Sequence, residues 1–196
     1  MSDDKKLLKI YIFRHGETSF NKEKIFTGWL EPDLTENGIK QAEKVAESLK
    51  DKEFQVAFCS HLRRSIRTLE IVLKYHKGVK VYIDDRIIER NYGKLQGLRH
   101  ADYIAEVGKK QFDIFHRSYD IPPPGGESIK MVEKRVNSFI DYLLDKMKRE
   151  KINVAISAHG NSMRPFRRRF ENLTIEEMMK LENPWDQYFE YDVPLD

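Results

Sequence analysis

Two stretches far apart in the chain end in the same way. Ile10-Tyr11-Ile12-Phe13 runs into Arg14-His15-Gly16-Glu17, and Val154-Ala155-Ile156-Ser157 runs into Ala158-His159-Gly160-Asn161. Each run is apolar, contains β-branched residues and is too short for a helix, so each reads as a buried strand that breaks at a histidine followed by glycine. Laid parallel in one sheet, the two strands carry their carboxyl ends to the same edge, where open α/β sheets hold their ligands. Two imidazoles would then face one crevice. Gly16 and Gly160 lack a Cβ, so the backbone after each histidine can turn sharply and bring N–H groups up to an anion such as phosphate.

The rest of the pattern suits such a sheet. Strands are expected over 7–13, 54–59, 79–83, 152–157 and near 187–192, with helices over 35–50, 62–76, 128–149, 161–171 and 174–181. Thr35-Glu36-Asn37-Gly38 marks a helix start, after which Ile39, Ala42, Val45, Ala46 and Leu49 recur at helical spacing. Alternating strands and helices predict an α/β three-layer sandwich, a mostly parallel sheet with helices on both faces and an antiparallel edge strand. Region 84–127 is less regular, with helical pieces over 101–107 and 109–116 and a break at Pro122-Pro123-Pro124-Gly125-Gly126, and is expected to form a lid. At 196 residues the chain is expected to be one domain over 1–196 that buries roughly 70% of the surface its unfolded form exposes.

Composition narrows the classes of partner. The segment Met1-Ser2-Asp3-Asp4-Lys5-Lys6 mixes acids and bases ahead of a strand, unlike a signal peptide. The apolar run Leu7 to Phe13 is interrupted by Lys9 and falls far short of the ~20 residues of a membrane span, so a cytoplasmic location and no membrane partner are expected. The single cysteine, Cys59, excludes an intrachain disulfide and reads as a buried structural thiol. A formal charge of +3, from 35 basic and 32 acidic residues, is too small to signal nucleic-acid binding, and no such partner is expected. Arg67, Arg167, Arg168 and Arg169 read equally well as a solvated helix face.

His15 carries the chemistry. A neutral imidazole is a competent nucleophile toward phosphorus, and guanidinium groups beside it disfavour the imidazolium while neutralising a transferring phosphoryl group. Arg14 adjoins it, and Ser60-His61-Leu62-Arg63-Arg64 lies at the end of a third strand. Phosphoryl transfer also needs a proton donor and acceptor. Glu89, in the loop Ile88 to Gly97, suits that role better than Asp84 or Asp85, which read as solvated turn residues. No paired-cysteine or His-x-x-x-His spacing offers a metal cage, and His61, His76, His100 and His116 are scattered, so no metal is expected.

Several blocks resemble the histidine phosphatase superfamily and, within it, the cofactor-dependent phosphoglycerate mutases. They are Arg14 to Thr18 with Asn21, Phe26-Thr27-Gly28-Trp29, Ser60 to Arg64 with Thr68, Glu89 to Gly97, Arg117-Ser118-Tyr119 with Pro122-Pro123, Gly126-Glu127-Ser128, and His159 to Arg164. The resemblance implies that 2,3-bisphosphoglycerate primes His15, that Arg14, Arg64 and His159 hold the phosphoryl group, and that Glu89 handles protons. It implies a substrate-binding set of Gly16, Glu17, Thr18, Asn21, Thr27, Gly28, Arg90, Asn91, Tyr92, Arg99, His100, His116, Arg117, Gly160 and Asn161. The expected substrate is a small phosphoglycerate, in a monomer or homodimer. Two positions depart from the pattern: Arg99-His100 stands where such mutases carry a lysine, and His116-Arg117 where they carry paired arginines. The segment between Pro124 and Gly125 is also shorter than in the longer mutases. The alternatives are a phosphomonoesterase of the same superfamily and a noncatalytic phosphoprotein-binding or scaffold protein.

Overall fold

The computed structural model describes residues 7–195; the reading of Met1 to Lys6 lies outside the described residues. Five strands, β1 (Leu7–Arg14), β2 (Val56–Cys59), β3 (Lys80–Ile83), β4 (Val154–Ala158) and β5 (Tyr188–Pro194), form one sheet in the order β3-β2-β4-β1-β5. All neighbours are parallel except β5, which runs antiparallel to β1 at the edge, as expected for an α/β sandwich.

Helices α2 (Glu36–Leu49) and α3 (Arg63–Leu73) cover one face, and α5 (Ile129–Glu150) and α6 (Gly160–Glu171) the other. The reason lies in each sequence. Thr35 caps α2 by accepting the Gly38 N–H at 2.9 Å, worth about 1 kcal/mol, and Ala42, Val45, Ala46 and Leu49 form the stripe it buries. Ser128 caps α5 in the same manner, and Val132, Val136, Phe139, Ile140 and Leu143 are buried against Ile10, Ile12 and Ile156. Fully burying side chains of this size stabilises by about 1.5–3 kcal/mol each, before the cost of ordering them. Cys59 is buried in the opposite layer, as expected of a structural thiol.

One difference from the sequence reading has a local cause. The stretch after β1, expected to be loop, contains a single helical turn, α1 (Ser19–Lys22), closed by reciprocal bonds between Thr18 and Asn21 and too short to show periodicity. The two helical pieces expected in the middle region are both present, as the two arms of α4 (His100–Arg117) on either side of Gly108, whose φ of 82° and ψ of 158° are not helical. Beneath it a separate apolar cluster forms from Phe26, Tyr92, Leu95, Tyr103 and Phe112. A short helix α7 (Ile175–Lys180) leads into β5. On the far edge β3 leaves Val81 and Ile83 exposed. Among the described residues no helix is long and apolar enough to cross a membrane.

Candidate active site

Strand register brings the two histidines together. Arg14 pairs with Ala158, so His15 and His159 are the first residues past two aligned strand ends, and the His15 N–H donates to the Ala158 carbonyl at 3.0 Å. Cys59 pairs with Ser157, which sets Ser60 beside them. The imidazole centroids of His15 and His159 are 5.0 Å apart, and the Ser60 hydroxyl lies 2.7 Å from His159 Nε2.

The tautomer of His15 follows from its partners. Nδ1 lies 2.7 Å from the Gly16 carbonyl, which only accepts, and Nε2 receives the Arg64 Nε–H at 3.3 Å, which only donates. Nδ1 therefore carries the proton and Nε2 presents a lone pair. Arg64 is aimed by the loop before α2: its other nitrogens donate to the carbonyls of Leu30 and Gly28, both at 2.7 Å. Burial, then Arg64 and Arg14, holds the His15 pKa well below the ordinary imidazole value; burial and the same arginines do this to His159. His15 is only 2% exposed. A group that approaches Nε2 therefore has to displace the Arg64 N–H.

Glu89 sits beside this pair. One oxygen, Oε1, receives the N–H of Arg90 at 2.7 Å and of Asn161, in the first turn of α6, at 3.1 Å. The Glu89 backbone is pinned through its carbonyl by Trp29 Nε1 and Arg135 Nη2. His15, Glu89 and His159 offer ligand atoms within 4.8 Å of one another. A divalent cation can use that spacing, but the Arg14 and Arg64 guanidiniums beside it oppose a cation and favour an anion.

Arg14 is held from three sides. Its Nη1 donates to the Asn183 carbonyl at 3.1 Å, its guanidinium carbon lies 4.5 Å from the centre of the Trp185 ring, and a Cβ on Gly160 would stand 3.3 Å from that same carbon. Burial lowers its pKa to about 10. Among the described residues its buried Nε has no partner, nor has the buried Nδ1 of His159.

Above these groups opens a cavity of about 230 Å³. Of the residues expected at a site, Arg14, Asn21, Thr27, Gly28, Glu89, Tyr92, His100, His116, Arg117, Gly160 and Asn161 line it. His15, Arg64 and His159 form the buried cluster below. The structure turns the others elsewhere. Gly16 spends its N–H on Thr68 Oγ1 at 3.1 Å, so this amide faces no anion, and its value is close packing against Gly38. Glu17 accepts from Thr35, and Thr18 caps α1. Arg90 is wholly buried and donates to the carbonyls of Phe115, His116 and Glu127, which ties the lid down. Asn91 bonds Glu127 and Gly93. Arg99 is exposed and paired with Glu23 at 2.7 Å.

Sequence reasoning did not place Arg164, Met179 and Glu182 in the cavity wall, whereas Asn183, which opens the tail 183–193 expected to close over the site, does line it. Arg164 had a signal, since it falls about one helical turn after Asn161; the others arrive by way of α7. Arg67, Arg167, Arg168 and Arg169 are paired with Glu70, Glu171, Glu133 and Asp141, the arrangement of a neutralised helix surface.

Known proteins share this architecture. The sequence profile of the Histidine phosphatase superfamily (branch 1) matches residues 10–187. The 2,3-bisphosphoglycerate-dependent phosphoglycerate mutase of Rhizobium meliloti (strain 1021) is 41% identical over 180 residues, which cover 88% of this chain and 83% of that protein. The phosphoglycerate mutase of Schizosaccharomyces pombe is 39% identical over 182 residues, covering 88% and 84%. Among solved structures, the alpha-ribazole phosphatase from Shigella flexneri superposes with a TM-score of 0.83 over 95% of this chain and 94% of that one; at 23% identity the likeness concerns the fold alone.

Proposed function

This chain belongs to the histidine phosphatase superfamily, and from that premise we propose that it is a phosphoglycerate mutase that interconverts 3-phosphoglycerate and 2-phosphoglycerate through a phosphohistidine at His15, acting as a single catalytic domain. The names of its relatives support the substrate. The observation that carries the reading is the buried constellation of His15, Arg64, His159 and Glu89 beneath an arginine-walled cavity.

The residues fit a phosphorylated cofactor. Arg14 Nε and His159 Nδ1 are buried without partners among the described residues, and oxygens of a phosphoryl group supply acceptors of the kind a guanidinium requires. When bound, 2,3-bisphosphoglycerate supplies the phosphoryl group that charges His15. The chain's own residues do the rest. His15 attacks through Nε2, because the Gly16 carbonyl keeps the proton on Nδ1. Arg64 and Arg14 offset the charge on the equatorial oxygens in flight, and they are fixed in advance by carbonyls of Gly28, Leu30 and Asn183. Glu89 uses one oxygen for two backbone N–H groups; the second takes the proton from the substrate hydroxyl as it attacks, and returns it when His15 is recharged. Positive charge comes from arginine, so no metal is needed.

One observation favours a second reading, phosphomonoesterase. The outer end of the cavity carries two imidazoles, His100 and His116, which give a weaker hold on a doubly anionic substrate than cations would. Incubation with 3-phosphoglycerate, with and without 2,3-bisphosphoglycerate, decides between them. The mutase reading expects 2-phosphoglycerate as the main product, activity that survives EDTA, loss of transfer in His15→Ala, and a large rate loss in Glu89→Gln with folding intact. Inorganic phosphate as the dominant product refutes it.

A further inference from the structure

The cavity has two chemically distinct ends. The inner end, over His15, is formed by Arg14, Glu89, Gly160 and Asn161; the outer end is formed by His100, His116 and Arg117 of α4. The two outer imidazoles meet only because α4 is broken. In a straight helix residues 100 and 116 would stand about 24 Å apart at 1.5 Å per residue. Gly108 reverses the chain instead, in a backbone region that costs other residues dearly, and the rings lie 5.1 Å apart. Phe26 packs on both, at 4.3 and 5.8 Å, and so does Phe112, at 5.3 and 4.8 Å. These walls set the ring planes. Among the described residues neither imidazole hydrogen-bonds to protein, and both residues line the cavity, which leaves their nitrogens open to a ligand.

Four cations face the pair: Lys24 after α1, Arg90 from the loop before α4, Arg117 at the end of α4, and Arg164 of α6. The Tyr92 phenol joins them, and the carboxylates of Glu89 and Glu182 line the same cavity. Burial and the cations keep both imidazoles neutral near pH 7, with the His116 pKa down at about 3 and that of His100 below its ordinary value. An arriving anion reverses this balance, because it favours the imidazolium directly. A second proton is disfavoured by the first, on a ring 5.1 Å away.

We propose that His100 and His116 grip the ligand's non-reacting anionic group as a unit, and that the pair takes up one proton from solvent as that group binds. The proposal rests on the phosphoglycerate reading and adds to it the proton that the pair carries. A proton bound with the ligand ties affinity to pH: each unit of acidification tightens binding by up to about tenfold, so long as the free pair stays neutral.

The test compares wild type with the His100→Gln/His116→Gln double variant, whose amides hydrogen-bond without titrating. Dissociation constants for 3-phosphoglycerate are measured at pH 8, 7 and 6. Ionisation of the ligand and of groups near His15 cancels in the variant-to-wild-type ratio. That ratio is expected to rise by about tenfold or more from pH 8 to pH 6, and to stay flat for glycerol 3-phosphate, which lacks the carboxylate. A flat ratio for 3-phosphoglycerate overturns the proposal. Should the double variant fail to fold, calorimetry on wild type in buffers of different ionisation enthalpy measures the proton directly: close to one more proton is expected to be taken up with 3-phosphoglycerate than with glycerol 3-phosphate, and equal uptake overturns it. Wild-type turnover is assayed in parallel. Binding with the expected proton uptake but without isomerisation refutes the mutase reading and leaves this proposal standing; failure of 3-phosphoglycerate to bind across the pH range overturns both.

Discussion

Gly16 offers the sharpest test of how the fold aims its nucleophile. Its backbone lies against that of Gly38 in the first turn of α2: a Cβ at Gly16 would stand 2.7 Å from the Gly38 carbonyl carbon and nearer still to its oxygen. A Cβ at Gly38 would stand 2.9 Å from the Glu17 carbonyl carbon, again with the oxygen closer. Ordinary contact begins at 3.4 Å and the carbonyl oxygen is the nearest atom in both cases, so either alanine must drive two backbones apart by more than about 1 Å, and no side chain is present to rotate away. Overpacking of this kind costs about 1–3 kcal/mol, a sizeable share of a domain's total. The functional cost should differ. Gly16 holds the His15 Nδ1 proton through its own carbonyl at 2.7 Å, so displacement there turns the ring against Arg64 and is expected to cut transfer by about a hundredfold. At Gly38 the strain enters through Glu17, and a loss of roughly tenfold or less is expected. Urea midpoints and phosphoryl-transfer rates for Gly16→Ala and Gly38→Ala are the measurements. Near-normal turnover in Gly16→Ala, or a heavier activity loss in Gly38→Ala, would refute the reasoning.

Trp185→Ala removes the aromatic face on which the buried Arg14 guanidinium rests, a contact worth about 2 kcal/mol when desolvated; kcat should fall more than KM changes, and Trp185→Phe should recover most of it. Acidification should destabilise the unliganded protein. Burial depresses the pKa of His15, His159 and His116 in the folded state, the last to about 3, so the unfolded chain binds more protons below pH 6.5. Their contribution is therefore complete above that pH and drains away below it, at up to about 1.4 kcal/mol per histidine per pH unit; urea midpoints from pH 7 to 5 should show this slope, and His116→Gln should flatten it. Cys59, whose thiol burial raises to about 11, should resist alkylation at pH 8 until denaturant unfolds the chain.

What the order of residues determined by itself is the framework and the reacting end. Strand and helix periodicities are short-range signals, legible within five to fifteen residues, and they located every strand and every helix longer than a single turn. The two His-Gly breaks followed from the same reading, because strands of matching length in a parallel sheet end at one edge, and Phe13 opposite Ser157 is that match realised. Tertiary structure alone decided where the long polar side chains point. Arg90 and Arg99 sit in the same loop and read alike, yet one is swallowed by carbonyls of Phe115, His116 and Glu127 while the other pairs with Glu23 in solvent. Such choices depend on partners tens of residues away, whose position no local pattern encodes. The resemblance placed His100, His116 and Arg117 at the cavity, and the structure lines it with them, but no local pattern shows that the two imidazoles meet: that depends on the reversed backbone at Gly108 and on Phe26 brought in from before α2 to receive both rings.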